Sequence, residues 1–367
     1  TGGPFLPSAA DNRCRQWVDS VLSGLNVHEK VGQLIVATIP ARADKATKKQ
    51  MRELVKKYKV GGLLFSEGTP EEQAILTNMA RKDAKIPVMV TFDGEWGLSM
   101  RLKGAPDYPR NAALGCIEDN GLIEEYGREV DVNTNPLNPV IHVRSFGENP
   151  QRVAEKVVAY SRGLESGGIL SVCKHFPGHG DTDVDSHKAL PALHYDRARL
   201  DSVELYPFKE MVRAGLGGVM VGHLQVQALD PDGVTPSSLS RNVVTGLLKD
   251  ELGFKGLVFT DALDMKGVSA IPQVTTKALL AGNDMVLVQF NTKNAVQELV
   301  DAVESGQLSK DELDAKCRKV LMYKYMLGLR NRQPQLRVSG MSYRINTEEA
   351  QVLAAKLRRS AVTVLNN

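Results

Sequence analysis

The sequence has few of the features that mark disulfide-rich, membrane-spanning or nucleic-acid-binding chains. It has four cysteines in 367 residues and no CxxC pair, which argues against a disulfide framework and a structural zinc site. No apolar run approaches the ~18–20 residues of a membrane span. The net charge is only +3, without a stripe of basic and aromatic residues, so we expect no nucleic-acid partner. Nothing in the sequence implies a cofactor.

Apolar, strand-like runs alternate with amphipathic helical patterns along most of the chain. The predicted strands are 33–39, 61–66, 88–92, 168–173, 217–222, 256–260 and 284–289. Near-continuous apolar strands separated by helices are typical of a parallel sheet covered on both faces. These seven runs and one uncertain one favour an α/β fold of the (β/α)8 TIM type. No GxGxxG follows the first run, which weakens a dinucleotide-binding alternative.

Polar side chains follow four of these runs at the point where the strand should end. They are Asp93 and Glu95 after the third run, Lys174 and His175 after the fourth, His223 after the fifth and Asp261 after the sixth. The carboxyl ends of barrel strands form the face that carries active sites in this architecture. The sequence therefore predicts that these residues meet in one site.

The segment from Lys174 to His187 is unusually polar and is interrupted by glycine and proline. It contains three histidines and three aspartates, a composition typical of a functional loop rather than a helix or strand. A carboxylate two residues from an imidazole, as in Asp185-Ser186-His187, can orient the ring and stabilise its protonated form. His175, His179 and Asp181 could instead form a metal cluster, although the broken spacing and the lack of HExxH weigh against it.

The motif Lys174-His-Phe-Pro-Gly-His-Gly-Asp-Thr-Asp-Val-Asp-Ser-His187 resembles the signature of family 3 glycoside hydrolases, in their β-N-acetylglucosaminidase branch. Supporting similarity lies in Asn138–Pro150, Val258–Gly267 and Ala281–Met285. The resemblance implies that Asp261 is the nucleophile. It also implies that His187 is the general acid/base, assisted by Asp185. The side chains that it places around the terminal sugar are Asp93, Arg144, Lys174 and His175, with His223 lining the pocket and Glu95 as a further contact.

Elementary chemistry is compatible with these roles but leaves simpler ones open. A retaining glycosidase needs a carboxylate nucleophile and a proton donor, and an imidazole with a pKa near ~6.5 can supply the proton. Asp261 could instead cap the following helix, since Asp is a favoured cap, and Asp264 is the better candidate for a cap or supporting partner. His187 could be a surface histidine, and Asp93 and Glu95 ordinary loop acids.

Two features depart from the family pattern. Trp96 stands in Asp93-Gly-Glu-Trp-Gly97 where members often have glycine, which places an aromatic ring near the predicted site. Between Val130 and Asp131 the sequence lacks the end of a helix, a turn and a fourth strand. Because an interior gap would expose two sheet edges, we expect a break or large gap in the chain there.

We therefore expect a retaining exo-β-N-acetylglucosaminidase that acts on a saccharide or muropeptide containing N-acetylglucosamine. The alternatives are a β-N-acetylglucosaminide phosphorylase, a catalytically silent sugar-binding module and, third, a metal-dependent hydrolase. We expect the barrel to occupy residues 1–330, and residues 331–367 to be a linker and the start of a truncated second domain. The chain begins without methionine, so we expect its targeting segment to have been removed. The compartment stays open, with an extracytoplasmic bacterial location preferred over the cytoplasm.

Overall fold

The computed structural model describes residues 3–129, 146–179, 190–331 and 333–362. The strands in these ranges are β1 (Ile35–Ala41), β2 (Gly62–Gly68), β3 (Met89–Phe92), β4 (Val172–Phe176), β5 (Ala192–Leu193), β6 (Gly218–Val221), β7 (Gln225–Val226), β8 (Leu257–Thr260) and β9 (Val286–Val288).

Helices precede the first strand and separate most of the others. The α-helices are α1 (Asn12–Ser23), α2 (Val27–Gln33), α3 (Lys45–Arg52), α4 (Pro70–Asp83), α5 (Asn111–Leu114), α6 (Asn120–Glu129), α7 (Pro150–Ser166), α8 (Arg197–Ser202), α9 (Tyr206–Arg213), α10 (Val274–Ala281), α11 (Thr292–Glu304), α12 (Lys310–Met326), α13 (Met341–Ile345) and α14 (Glu348–Ser360). In the part of the chain that the structure describes, two π-helical segments cover Glu53–Lys57 and Asn242–Glu251, and short 3-10 turns cover Pro7–Ala9, Leu98–Met100 and Ser237–Leu239. None of the helices in the described ranges is long and apolar enough to cross a membrane.

Local sequence signals fix several helix starts. Asn26 and Ser309 form capping boxes at the starts of α2 and α12, in which the cap side chain and a glutamate at N3 each accept a backbone N–H. Asn149 caps α7 and is followed by Pro150 at the first helical position, where the missing N–H costs nothing.

The strands form parallel sheets, as predicted. One sheet has the order β3-β2-β1-β9 and another the order β4-β6-β8, with every pairing parallel. A parallel bridge between Phe259 and Met285 connects β8 to β9, so seven strands follow one another as β3-β2-β1-β9-β8-β6-β4. The short strands β5 and β7 form a separate parallel pair.

The interior strands are buried as a parallel sheet between helices requires. Every residue of β8 and of β9 is buried. One apolar cluster surrounds β1, β8 and β9 and includes residues of α12. A second cluster joins α6, α7 and β6 and includes Leu353 and Leu357 of α14, so the C-terminal helix contributes to the same packed body as the sheets.

The strand β4 differs from its prediction. It covers Val172–Phe176 instead of 168–173, so Lys174 and His175 lie inside the strand and not after it. The prediction ended the strand at the first charged residue. Here the polar side chains are buried and paired, so they are compatible with a strand interior.

The two ends of the seven-strand series, β3 and β4, flank a cavity of about 700 Å³. Its wall is mostly apolar and includes Met89, Leu170, Val172, Met220 and Phe259. In the described ranges no strand pairs with the outer edge of β3 or of β4. The predicted gap between Val130 and Asp131 lies outside the described residues.

Candidate active site

His175 and Asp261 meet at the carboxyl ends of β4 and β8. The distance from His175 Nε2 to Asp261 Oδ2 is 3.6 Å, and both side chains are largely buried. The Asp261 backbone N–H donates to Val221 O at 2.9 Å, and its Oδ1 accepts from the Ala262 N–H at 2.8 Å. These contacts fix the carboxylate and leave Oδ2 directed at the imidazole. The sequence prediction that these two residues share a site is consistent with this geometry.

The end of β6 brings its backbone close to His175. A Cβ added at Gly222 would lie 3.0 Å from His175 Cβ, tighter than ordinary packing, so glycine lets the two strand ends approach. The Lys174–His175 and Phe176–Pro177 peptide bonds on either side of this contact are cis.

Lys174 is the centre of a buried charge cluster. Its Nζ lies 2.9 Å from Asp93 Oδ1 and 3.1 Å from Glu95 Oε1. Arg101 Nη2 lies 3.5 Å from the other oxygen of Asp93. Glu95 is 1% exposed and Asp93 31% exposed. A buried carboxylate such as Glu95 needs a charge partner, whereas the exposed part of Asp93 faces solvent and can accept hydrogen bonds from a ligand.

His223 supports the backbone beside Asp261. Its Nε2 donates to the Ala262 carbonyl oxygen at 2.8 Å, and Nδ1 lies 2.6 Å from Ser238 Oγ. A carbonyl can only accept, so Nε2 carries a proton. Burial lowers the pKa of His223, while the negative charge of Asp261 and the bond to Ala262 oppose that effect. The ring is therefore neutral and holds the loop after β8 in place. Its Nδ1 accepts a hydrogen bond from the Ser238 hydroxyl.

Asp264 ties the same loop to the end of β9. Its Oδ2 accepts a hydrogen bond from the Gln289 N–H at 2.5 Å, and burial raises the pKa of this carboxyl group. The contact holds the loop after β8 against the end of β9, and the role of Asp264 as a supporting partner stays a prediction.

Ser238 and His179 are neighbours of the site that the sequence prediction did not assign to it. Ser238 has no distinguishing pattern, since it lies 15 residues from His223 and meets it only in the fold. The His179 ring lies edge-on to His175 with centroids 5.7 Å apart. Among the described residues no group of three potential metal-binding side chains comes together. His187, Asp185, Arg144 and Asp181 lie outside the described residues.

Comparison with known proteins places this chain in a family. Residues 26–323 match the model of the glycosyl hydrolase family 3 N-terminal domain. A β-N-acetylglucosaminidase structure of this family from Paenibacillus sp. is 32% identical with a TM-score of 0.83, over 93% of this chain and 70% of the other.

Two curated relatives are also similar. β-Hexosaminidase A of Pseudoalteromonas piscicida is 30% identical over 370 aligned positions, which take in 87% of this chain and 61% of the relative's length. A β-hexosaminidase of Mycobacterium tuberculosis is 30% identical over 82% of this chain and 83% of its own. The family resemblance inferred from the Lys174–His187 motif is thus confirmed: the chain belongs to glycosyl hydrolase family 3.

Proposed function

We propose that this chain carries the catalytic domain of a retaining exo-β-N-acetylglucosaminidase with Asp261 as its nucleophile. The observation that carries the proposal is the fixed Asp261 carboxylate beside His175, at the same face as the Asp93–Lys174–Glu95 cluster. The names of the relatives, β-hexosaminidase and β-N-acetylglucosaminidase, support N-acetylglucosamine as the sugar.

The proposed reaction has two steps. Asp261 Oδ2 attacks the anomeric carbon while the leaving oxygen receives a proton, which gives a covalent glycosyl-enzyme. Water then attacks the same carbon, loses a proton to the group that donated the first one, and releases the sugar with retained configuration. We assign that proton transfer to His187, oriented by Asp185, on the strength of the Asp-Ser-His motif.

The site geometry supports separate roles for the other residues. Asp93, which is partly exposed, and Lys174 would hold hydroxyl groups of the terminal sugar, with Arg144 as a further contact. Glu95 is buried against Lys174 and would act through it. His175 is close enough to Asp261 to stabilise its charge. His223 would hold the loop that carries the nucleophile.

We also propose that the complete domain is an eight-stranded (β/α)8 barrel. Seven strands follow one another from β3 to β4 in the described ranges, and a large apolar cavity separates the two ends. The alignment with the Pseudoalteromonas relative has 370 positions, but only 87% of this 367-residue chain takes part in it. The relative therefore has residues that have no counterpart in this chain. Both facts support an eighth strand that would pair with β3 and β4 in the complete domain.

Peptidoglycan fragments are the substrate class we propose, on the basis of the family resemblance. Hydrolysis of an aryl β-N-acetylglucosaminide tests the activity, and azide added to Asp261→Ala tests the nucleophile. Azide should restore leaving-group release and form a glycosyl azide of inverted configuration. As a control, Glu304→Gln, which replaces an exposed carboxylate, should behave as wild type. Loss of activity in Asp261→Ala without azide rescue would argue against the assignment.

The hydrolase can be distinguished from its rivals with the same preparation. A phosphorylase would release sugar 1-phosphate in proportion to added phosphate, whereas the proposed hydrolase releases free sugar. A silent binding module would bind N-acetylglucosamine without turnover. Unchanged activity in a chelator would dismiss the metal-dependent hydrolase.

A further inference from the structure

The turn that follows β3 presents two neighbouring side chains in different settings. The Gly97 N–H donates to Gly94 O at 2.9 Å, which makes Glu95 and Trp96 the central residues of the turn. Glu95 is buried against Lys174, while Trp96 remains partly exposed. Gly97 has φ 96°, a conformation that other residues adopt rarely. Trp96 is thus held next to a residue of the proposed sugar site.

The exposed guanidinium of Arg110 stacks on this indole. The Arg110 Cζ atom lies 4.0 Å from the centroid of the Trp96 ring, well inside the range of a cation–π contact. The Arg110 side chain remains 45% exposed. Stacking restricts the flexible side chain before any ligand arrives, which lowers the entropy cost of binding.

Among the described residues, the carboxylate that lies close to Arg110 also has other partners. Asp107 Oδ1 lies 3.8 Å from Arg110 Nη1, which is beyond hydrogen-bonding distance. The same carboxylate accepts hydrogen bonds from Ser99 Oγ at 3.1 Å and from Arg358 Nη2 at 3.3 Å. Two arginines therefore share one exposed carboxylate, and a positive charge remains beside Trp96.

We propose that Arg110, held against Trp96, binds an oxyanion of the molecule that occupies the site next to the terminal sugar. A planar guanidinium is suited to a carboxylate or phosphate group, which it can contact through two parallel hydrogen bonds. The inference rests on the proposed function, because it assumes that Asp93 and Lys174 hold the sugar. It deepens that function by naming an anionic group as a determinant of specificity.

The oxyanion could be a carboxylate on the leaving group or free inorganic phosphate. Two β-N-acetylglucosaminides should be compared, one with a carboxylate on the leaving sugar and the other with the corresponding carboxamide. Arg110→Gln should lower the ratio of their kcat/KM values roughly tenfold, mainly through KM for the carboxylate, and high salt should reduce the difference. If Arg110→Gln instead weakens inhibition by phosphate, or the use of phosphate as the glycosyl acceptor, the bound oxyanion is phosphate.

Arg318 offers a control for the loss of an exposed arginine, because it belongs to α12, pairs with Asp19 of α1 and does not line the cavity beside β3. Arg318→Gln should leave the ratio and the phosphate response unchanged, whereas Trp96→Ala should reduce the ratio and Trp96→Phe should restore part of it. Equal loss for both substrates in Arg110→Gln, or no change in either ratio or phosphate response, would overturn the inference. If wild type turns over no substrate, the proposed function fails. Calorimetric binding of the carboxylated saccharide and of phosphate to wild type and Arg110→Gln then still decides the role of Arg110.

Discussion

The imidazole of His175 in β4 lies 3.6 Å from the carboxylate of Asp261, which directly follows β8. The strand β6 pairs with both and places their carboxyl ends side by side. Removal of the imidazole with His175→Ala should lower kcat/KM for an aryl glycoside by about 10²-fold, a loss typical of one electrostatic contact in a site. Steady-state kinetics check this, with circular dichroism as a control for folding. A kcat/KM of His175→Ala equal to that of wild type would contradict this prediction.

Lys174 should matter for folding as well as for substrate. Lys174→Met removes the ammonium group that lies 3.1 Å from the buried Glu95 carboxylate, and loss of one partner of a buried ion pair costs about 3–5 kcal/mol. Urea unfolding measures this change. Adding Glu95→Gln should recover part of the lost free energy of unfolding, because no buried charge then lacks its counterion. A double variant as unstable as the sum of the two single variants would show that the groups do not interact.

The predictions made from sequence were most accurate where burial decides the structure. The run 256–260 became β8 (Leu257–Thr260), because a fully buried parallel strand needs apolar residues throughout. Lys174 and His175 lie inside the strand that they were predicted to follow, because their partners Asp93 and Asp261 are distant in sequence. The bond from His223 to Ala262 spans 39 residues, and no local pattern could have indicated it.

Asp284 should make the protein sensitive to acid. Burial raises the pKa of this carboxyl group, but the charges of Lys319 and Lys249 outweigh burial and lower it to about 2. Because the folded pKa lies below the unfolded value, the stabilisation is present above the unfolded pKa of about 3.9 and is lost as pH falls towards 2. The free energy of unfolding of Asp284→Asn should therefore be about 2 kcal/mol lower than that of wild type at pH 7, and the difference should be smaller at pH 2.5. A difference that does not change with pH would refute this account.

Lys324 should make stability rise with pH in the neutral to alkaline range. It is fully buried with its Nζ 2.6 Å from Gln33 Oε1, and burial lowers its pKa to about 7. Between that value and the unfolded pKa near 10.4 the unfolded chain binds more protons, so stability rises with pH. The Lys324→Met variant should lack this increase in stability with pH, whatever its stability at pH 7. Unfolding curves from pH 7 to 10 measure the slope, and identical slopes would contradict the prediction.

The most direct test of the central claim is to trap the covalent intermediate. A fluorinated N-acetylglucosaminyl substrate with a good leaving group, designed to slow release of the glycosyl-enzyme, should label wild-type protein at one site. Mass spectrometry of the digested protein should find the sugar on the peptide that contains Asp261, and Asp261→Ala should remain unlabelled. A sugar attached to another carboxylate, such as Asp264, or turnover without any labelled peptide, would contradict the account.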